Sequence, residues 1–236
     1  MKILRFNDDR IAVLKDGDRA VDVIGIVNSM KTSEIKFMSS VAAALALVAV
    51  LISRAFVSNG DAAQNAPRSN TLAGMQMGQA PWIAEITHLL DRLNAIHLPA
   101  LPAEGNMLHI HQHLDIIVNG TAVTVPADIG INRAALFISP IHTHDESGVI
   151  HVESDEFRDY TLGDFFDIWG VRFIKDCVGG YCSKGTSMLK VFSEGKPVAG
   201  DPRRLVLRSH QEIAVIYGPP AAFKSVPSSY RFSPGS

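Results

Sequence analysis

Charge is sparse and nearly balanced in this chain. Asp, Glu, Lys and Arg make up 19% of 236 residues and leave a net charge of −2 at pH 7. That balance gives no broad electrostatic attraction to nucleic acid, and no nucleic-acid-binding motif is present. A phosphate loop, a dinucleotide fingerprint and a nucleophile motif are also missing, which favours binding over chemistry. Cysteine is reduced to Cys177 and Cys182, in Cys-Val-Gly-Gly-Tyr-Cys. The spacing is not Cys-x-x-Cys, so nothing supports a thioredoxin-type role directly. Outside the cytoplasm such a pair oxidises, and Gly179 and Gly180 give the backbone freedom to close a small loop. A structural disulfide is the expectation, with metal thiolates or a redox pair as alternatives. A disulfide would leave any metal to histidine and carboxylate.

Long apolar runs are limited to one. Phe37 to Ser53 carries no charge and is bounded by Lys36 and Arg54. With Ala55, Phe56 and Val57 it reaches a spanning length if Arg54 snorkels. It lacks the polar face of a soluble amphipathic helix. Lys31 and Lys36 precede it closely, with Arg10, Lys15 and Arg19 upstream, whereas only Arg54 and Arg68 follow nearby. The positive-inside rule then keeps the N-terminus cytoplasmic and exports the C-terminal part. The expectation is an uncleaved signal anchor over 37–57 contacting membrane lipid. It would join a cytoplasmic segment 1–36 to a flexible linker 58–80, an extracytoplasmic domain 81–218 and a tail 219–236. Cleavage near Ala62-Ala63 or Ala66 is the alternative. Met30 and Met38 are alternative starts, each leaving a short basic N-terminus before the run.

Histidine is concentrated. Six of nine histidines fall between His109 and Glu153. Alternate side chains of a strand share a face, so His109, His111, His113 and Asp115 line one side, and Ile110, Leu114 and Ile116 the other. The segment His142-Thr-His144-Asp-Glu-Ser-Gly-Val-Ile-His151-Val-Glu153 reads as a hairpin turning at Asp145–Gly148. That register sets His144 opposite Val149 and His142 opposite His151, with Cβ atoms about 5 Å apart. Glu153 follows His151 on the same face. Imidazole suits copper, zinc, nickel and iron, whereas magnesium and calcium prefer oxygen. The expected ligands are His111, His113, His142 and His151, with His109, His144 and Glu153 in reserve. The expected ion is copper or zinc. Export and Met75-x-Met77 lean towards copper, because thioethers are soft ligands.

The remaining chain reads as α+β, mainly β. Short strands are expected at 2–6, 11–14 and 20–24. An amphipathic helix over 81–96 would bury Trp82, Ile83, Ile86, Leu89, Leu90, Leu93 and Ile96 on one face, leaving His88 and His97 at its surface and end. A hairpin 109–118/121–125 turns at Asn119-Gly120, and a strand 135–141 leads to the second histidine cluster. A helix 162–169 lies between a Thr161/Asp164 capping box and Gly170. Strands follow at 188–192, 196–198, 205–207 and 212–217, with His210 in a turn. This order suits a β-grasp-like sheet, with a small β-barrel or sandwich as the alternative.

Three stretches carry a resemblance: His109-Ile-His-Gln-His-Leu-Asp-Ile, Ile141-His-Thr-His-Asp-Glu-Ser-Gly-Val-Ile-His-Val-Glu, and Phe165-Phe-Asp-Ile-Trp-Gly. Over roughly 82–217 the chain resembles exported, membrane-anchored bacterial domains of uncharacterised function. The resemblance implies one domain with a shared histidine site and no particular activity. Met1-Lys-Ile-Leu-Arg-Phe through Asp16-Gly-Asp-Arg-Ala-Val-Asp-Val resembles only the opening of fumarylacetoacetate hydrolase-family proteins. It stops short of that family's catalytic domain, so no activity comes with it. Gly105 with His111-x-His113 matches the first half of the cupin metal motif, but Ile117 and Val118 stand where its Glu is needed. The alternatives to a metal-binding protein are a metal-dependent hydrolase or oxidoreductase on the same residues, and a structural or interaction domain whose histidines stabilise the fold or respond to pH.

Overall fold

The computed structural model describes residues 2–6, 10–14, 20–22 and 72–233. The chain divides into two compact units, Met1–Pro67 and Arg68–Ser236. In the first, β1 (Lys2–Phe6), β2 (Arg10–Leu14) and β3 (Ala20–Asp22) form an antiparallel sheet in that order. The expected anchor at 37–57 and its cleavage positions lie outside the described residues. No helix among the described residues is long and apolar enough to cross a membrane.

The second unit is built on β4 (Leu108–Val118), its longest strand. Along one edge β4 pairs antiparallel with β9 (Val149–Ser154), which pairs in turn with β8 (Ile141–His142). Along the other it runs parallel to β15 (Gln211–Gly218), followed by β13 (Met188–Ser193) and β14 (Lys196–Pro197), both antiparallel. The order is β14-β13-β15-β4-β9-β8, with β5 (Thr121–Val123) paired to the far end of β4. Smaller ladders are β6 (Ile131–Asn132) with β7 (Phe137–Ile138), and β10 (Phe173–Ile174) with β11 (Cys177–Val178) and β12 (Tyr181–Cys182). The architecture is mixed and mainly β, as composition and pattern imply.

The period-2 rule divides β4 as its sequence demands. Leu114 and Ile116 enter the main core, whereas Ile117 joins a second cluster with Phe192, Ala214 and Ile216. Gln112 is the polar intruder on the core side. Its amide nitrogen donates to the carbonyls of Ile110 and Ile150, at 3.2 and 3.0 Å, which offsets part of the cost of burial, while Oε1 is buried without a partner.

One helix closes the core. In α2 (Leu162–Trp169) all eight residues are buried. Thr161 accepts from the Asp164 amide, Asp164 accepts back from the Thr161 amide, and Gly170 ends the helix at φ 75°. Both bounds match the sequence expectation. Phe165, Phe166, Ile168 and Trp169 are fully enclosed, each contributing about 1.5–3 kcal/mol by leaving water.

The preceding helix is shorter than its periodicity predicts. Regular helix, α1, spans only Leu89–Ala95. The backbone at Ile83 is engaged elsewhere. Its amide and carbonyl both bond the Gln76 side chain, and the carbonyl also accepts from the Trp169 indole at 2.9 Å. Trp82, Leu89, Leu93 and Ile96 are buried as expected, but Ile83, Ile86 and Leu90 face solvent.

Other boundaries also move. Residues 72–80, expected as linker, are held to the domain where Gln76 bridges Val171. The described part of the expected tail, 219–233, likewise packs on the domain: Ala222, Phe223 and Val226 cover the second apolar cluster, and Tyr230 stacks on His113. The 135–141 strand is split into β7 and β8 around Pro140, which has no amide to donate. The expected strand 205–207 is reduced to a bridge between Val206 and Thr161. The Asn119-Gly120 hairpin forms, but it is a short side ribbon, and β9 and β15 are the main partners of β4.

Candidate metal centre

Three adjacent strands set His111, His151 and His142 in one row. His151 lies directly opposite His111 on one side and His142 on the other, and the next row pairs His109 with Glu153. Directly opposed residues point to the same face, so a cluster follows from register alone. The expected opposition of His142 and His151 is present.

The expected opposition of His144 and Val149 is not. The ladder ends at His142, because Thr143 is claimed by residues 126–129. Its amide donates to Ile129, its hydroxyl to Pro126, and the hydroxyl accepts from the Ile129 amide. The chain bends there, and Asp145 accepts from the Ser147 amide in a tight turn. The His144 ring still returns to the cluster, 4.7 Å from His142 and 4.5 Å from His151 between ring centroids.

The donor atoms converge. His109 Nε2 lies 3.1 Å from His111 Nε2, and His142 Nε2 lies 3.2 Å from His144 Nε2. Glu153 Oε1 is 3.3 Å from His109 Nε2, and in the metal-free site it accepts a hydrogen bond from His151 Nδ1–H at 3.1 Å. Metal–nitrogen bonds of about 2.0–2.1 Å put tetrahedral ligands about 3.3 Å apart, close to these separations. Among the described residues three groups have their ligand atoms within 4.8 Å of one another, and two of them lie in this cluster. These two are His109, His111, His151 and Glu153, and His142, His144, His151 and Glu153. The residues can hold a metal ion.

Hydrogen bonds orient the donors. His142 Nδ1–H donates to the Ser139 carbonyl at 3.0 Å, leaving the Nε2 lone pair for the cluster. Burial pushes His142 down to about 4. Burial, reinforced by the neighbouring His151 and His109, does the same for His111. Burial opposes charge on Glu153, but the His151 hydrogen bond and the surrounding imidazoles hold it at about 2. An ionised Glu153 beside neutral His111 and His142 is the protonation state that metal ligation requires of these three. Solvent reaches the site at His109 and His144, whose side chains are 57% and 37% exposed. Glu104 adds an oxygen 3.5 Å from His144 Nε2. It sits beside Gly105, where a Cβ would come 2.3 Å from the Ser154 carbonyl carbon.

His113 stands apart from this cluster, although it shares the face. Its Nδ1 bonds Glu212 Oε2 at 2.8 Å and its Nε2 bonds the Ser147 carbonyl at 2.9 Å. The Ser147 carbonyl can only accept, so Nε2–H donates to it, while one proton is shared between Nδ1 and Glu212, whose own pKa burial raises. Burial opposes charge on the ring, but the Glu212 hydrogen bond and carboxylate raise the His113 pKa overall. Stacking on Tyr230, with centroids 3.8 Å apart, completes a clamp between β4, β15 and the C-terminal segment. Asp115 and Glu212 make a separate group with His113. Glu212, Glu104 and Ser139 were not singled out in the sequence. Only the parallel pairing of β4 with β15 could have pointed to Glu212.

These shifts set the pH response of the metal-free domain. The depressed values of His111 and His142 mean that the folded state binds fewer protons, so stability falls as pH drops from 6.5 towards 4. The raised value of His113 acts oppositely, and its contribution is lost as pH climbs through the folded pKa. Thermal unfolding followed between about pH 4 and 8 should show the acid arm, and His142→Ala should flatten it. A melting point independent of pH below 6.5 would contradict this assignment.

Cys177 and Cys182 face each other across β11 and β12 and are disulfide-bonded. No protein-family model, curated protein or solved structure matches the chain.

Proposed function

We propose that this is a membrane-tethered, extracytoplasmic protein that binds copper or zinc through histidines on facing strands. The observation that carries the reading is the pair of donor groups meeting at His151 and Glu153. The ligands favoured are His111, His142 and His151, with His109, His144 and Glu153 completing them. His113 is assigned to the clamp. Imidazole donors support a late first-row ion over magnesium or calcium. The disulfide agrees with an oxidising compartment, and the apolar run with its flanking lysines supports the anchor and its direction. First and last strands parallel at the sheet centre, with α2 against one face, support reading the fold as β-grasp-like.

The metal-dependent enzyme is kept as a second reading because exposed His109 and His144 leave the site open to solvent. Open coordination is what a bound water or substrate needs.

The test is the metal content of the untagged protein after reconstitution with Zn²⁺ and with Cu²⁺. At least one equivalent of metal is expected, with binding lost or strongly weakened in a His111→Ala/His142→Ala variant and retained by His113→Ala. Absence of binding to the wild-type chain would overturn the reading. Azide or cyanide perturbing the copper spectrum would support an open position and the enzymatic reading. An unperturbed spectrum would count against it.

A further inference from the structure

The donor set is too large for one ion. Five imidazoles and one carboxylate converge, whereas a zinc ion bound by such ligands takes four in a tetrahedron. The six are also divided in space. His109 and His111 come from β4, His142 and His144 from β8 and the turn beyond it, and the strand between them supplies His151 and Glu153. Within each outer pair the Nε2 atoms are 3.1 and 3.2 Å apart, close to one edge of a coordination tetrahedron. The two groups share only the residues of the central strand.

Glu153 addresses both halves with different oxygens. Oε1 is 3.3 Å from His109 Nε2 and 3.9 Å from His111 Nε2, whereas Oε2 is 3.8 Å from His142 Nε2. A carboxylate placed this way bridges two ions, and paired ions in shared sites lie about 3.5–4 Å apart. His151 stands between the same halves, its ring centroid 4.4 Å from that of His111 and 5.4 Å from that of His142.

We infer that the cluster is a dinuclear centre: one ion on His109, His111 and Glu153 Oε1, a second on His142, His144 and Glu153 Oε2, with His151 between them. The inference rests on the metal-binding reading above and adds its nuclearity. Two divalent ions against one carboxylate leave the centre positively charged. Solvent access at His109 and His144 therefore admits an anionic ligand such as hydroxide.

Stoichiometry and spin coupling test this on the full-length, untagged chain. Equilibrium dialysis with Zn²⁺, read by elemental analysis, should saturate at two equivalents. The variants His109→Ala/His111→Ala and His142→Ala/His144→Ala should each retain one. With Cu²⁺, EPR should show an isolated ion at one equivalent and loss of that signal to exchange coupling at two. Saturation of the wild-type chain at one equivalent overturns the dinuclear centre and leaves the metal-binding reading standing. Two equivalents with uncoupled copper spectra overturn the bridge. No binding overturns both readings. The wild-type measurements decide between these outcomes even if a variant fails to fold.

Discussion

Replacing Arg92 by alanine is expected to destabilise the C-terminal unit by about 3–5 kcal/mol, the cost of leaving a buried ion partner uncompensated. Arg92 is the only fully buried arginine or lysine among the described residues. Its guanidinium donates to the carbonyls of Ala73 and Ile168, at 3.1 and 3.0 Å, and to the carboxylate and carbonyl of Glu85. The Ile168 carbonyl belongs to the last turn of α2, where no intrahelical amide remains to satisfy it. One side chain therefore ties α1, the irregular segment before it and the end of the core helix. At roughly 2–4 °C per kcal/mol for a domain of this size, the melting point should fall by about 10 °C. Arg92→Met should be nearly as harmful, because the Glu85 carboxylate is left without its cation. Adding Glu85→Gln to Arg92→Met should restore part of the loss. A change below about 1 kcal/mol in Arg92→Ala would mean that water takes over these contacts.

The largest effect on binding is expected from His151→Ala. His151 is the only imidazole in both donor groups and lies opposite both His111 and His142. Its Nδ1–H donates to Glu153, so the change also removes the hydrogen bond that aims the carboxylate. Losing a partner that merely orients a ligand costs 10–100-fold in metal affinity, so losing this residue should cost at least about 100-fold. Competition titration against a chromophoric chelator measures the shift. The His151 ring is partly exposed and leaves little cavity, so the unfolding midpoint of the metal-free variant should stay close to wild type. A large stability loss with unchanged affinity would reassign His151 to the fold.

The sequence foretold those parts of the site that local geometry controls. Alternation placed His109 and His111 on one face, and the Asp145–Gly148 turn gave the opposition of His142 and His151. Capping chemistry at Thr161 and Gly170 fixed both ends of α2. Long-range partners were hidden. The removal of His113 depends on Glu212, 99 residues away, brought alongside by a parallel pairing with no turn to announce it. The shortening of α1 depends on Gln76 and Trp169, which capture the Ile83 backbone through contacts outside any periodic pattern. His144 left its expected register because Thr143 bonds a loop, and local side-chain bonds of that kind compete with sheet ladders.

The placement of β15 beside β4 has a consequence in time. β4 carries two of the metal donors, and its Gln112–Val118 stretch is paired along one edge by β15, a strand that comes much later in the chain. Until that strand docks, β4 presents a row of unpaired backbone groups, and such edges recruit whatever strand is nearest. A contact spanning this much chain also slows folding, because loop closure precedes the gain from pairing. The sheet around the centre is therefore completed late, although the donor strands β4, β9 and β8 pair among themselves within a much shorter stretch of chain. An ion offered earlier meets histidines whose supporting sheet is unfinished. Metal supplied to the finished domain meets donors already held at coordination distance.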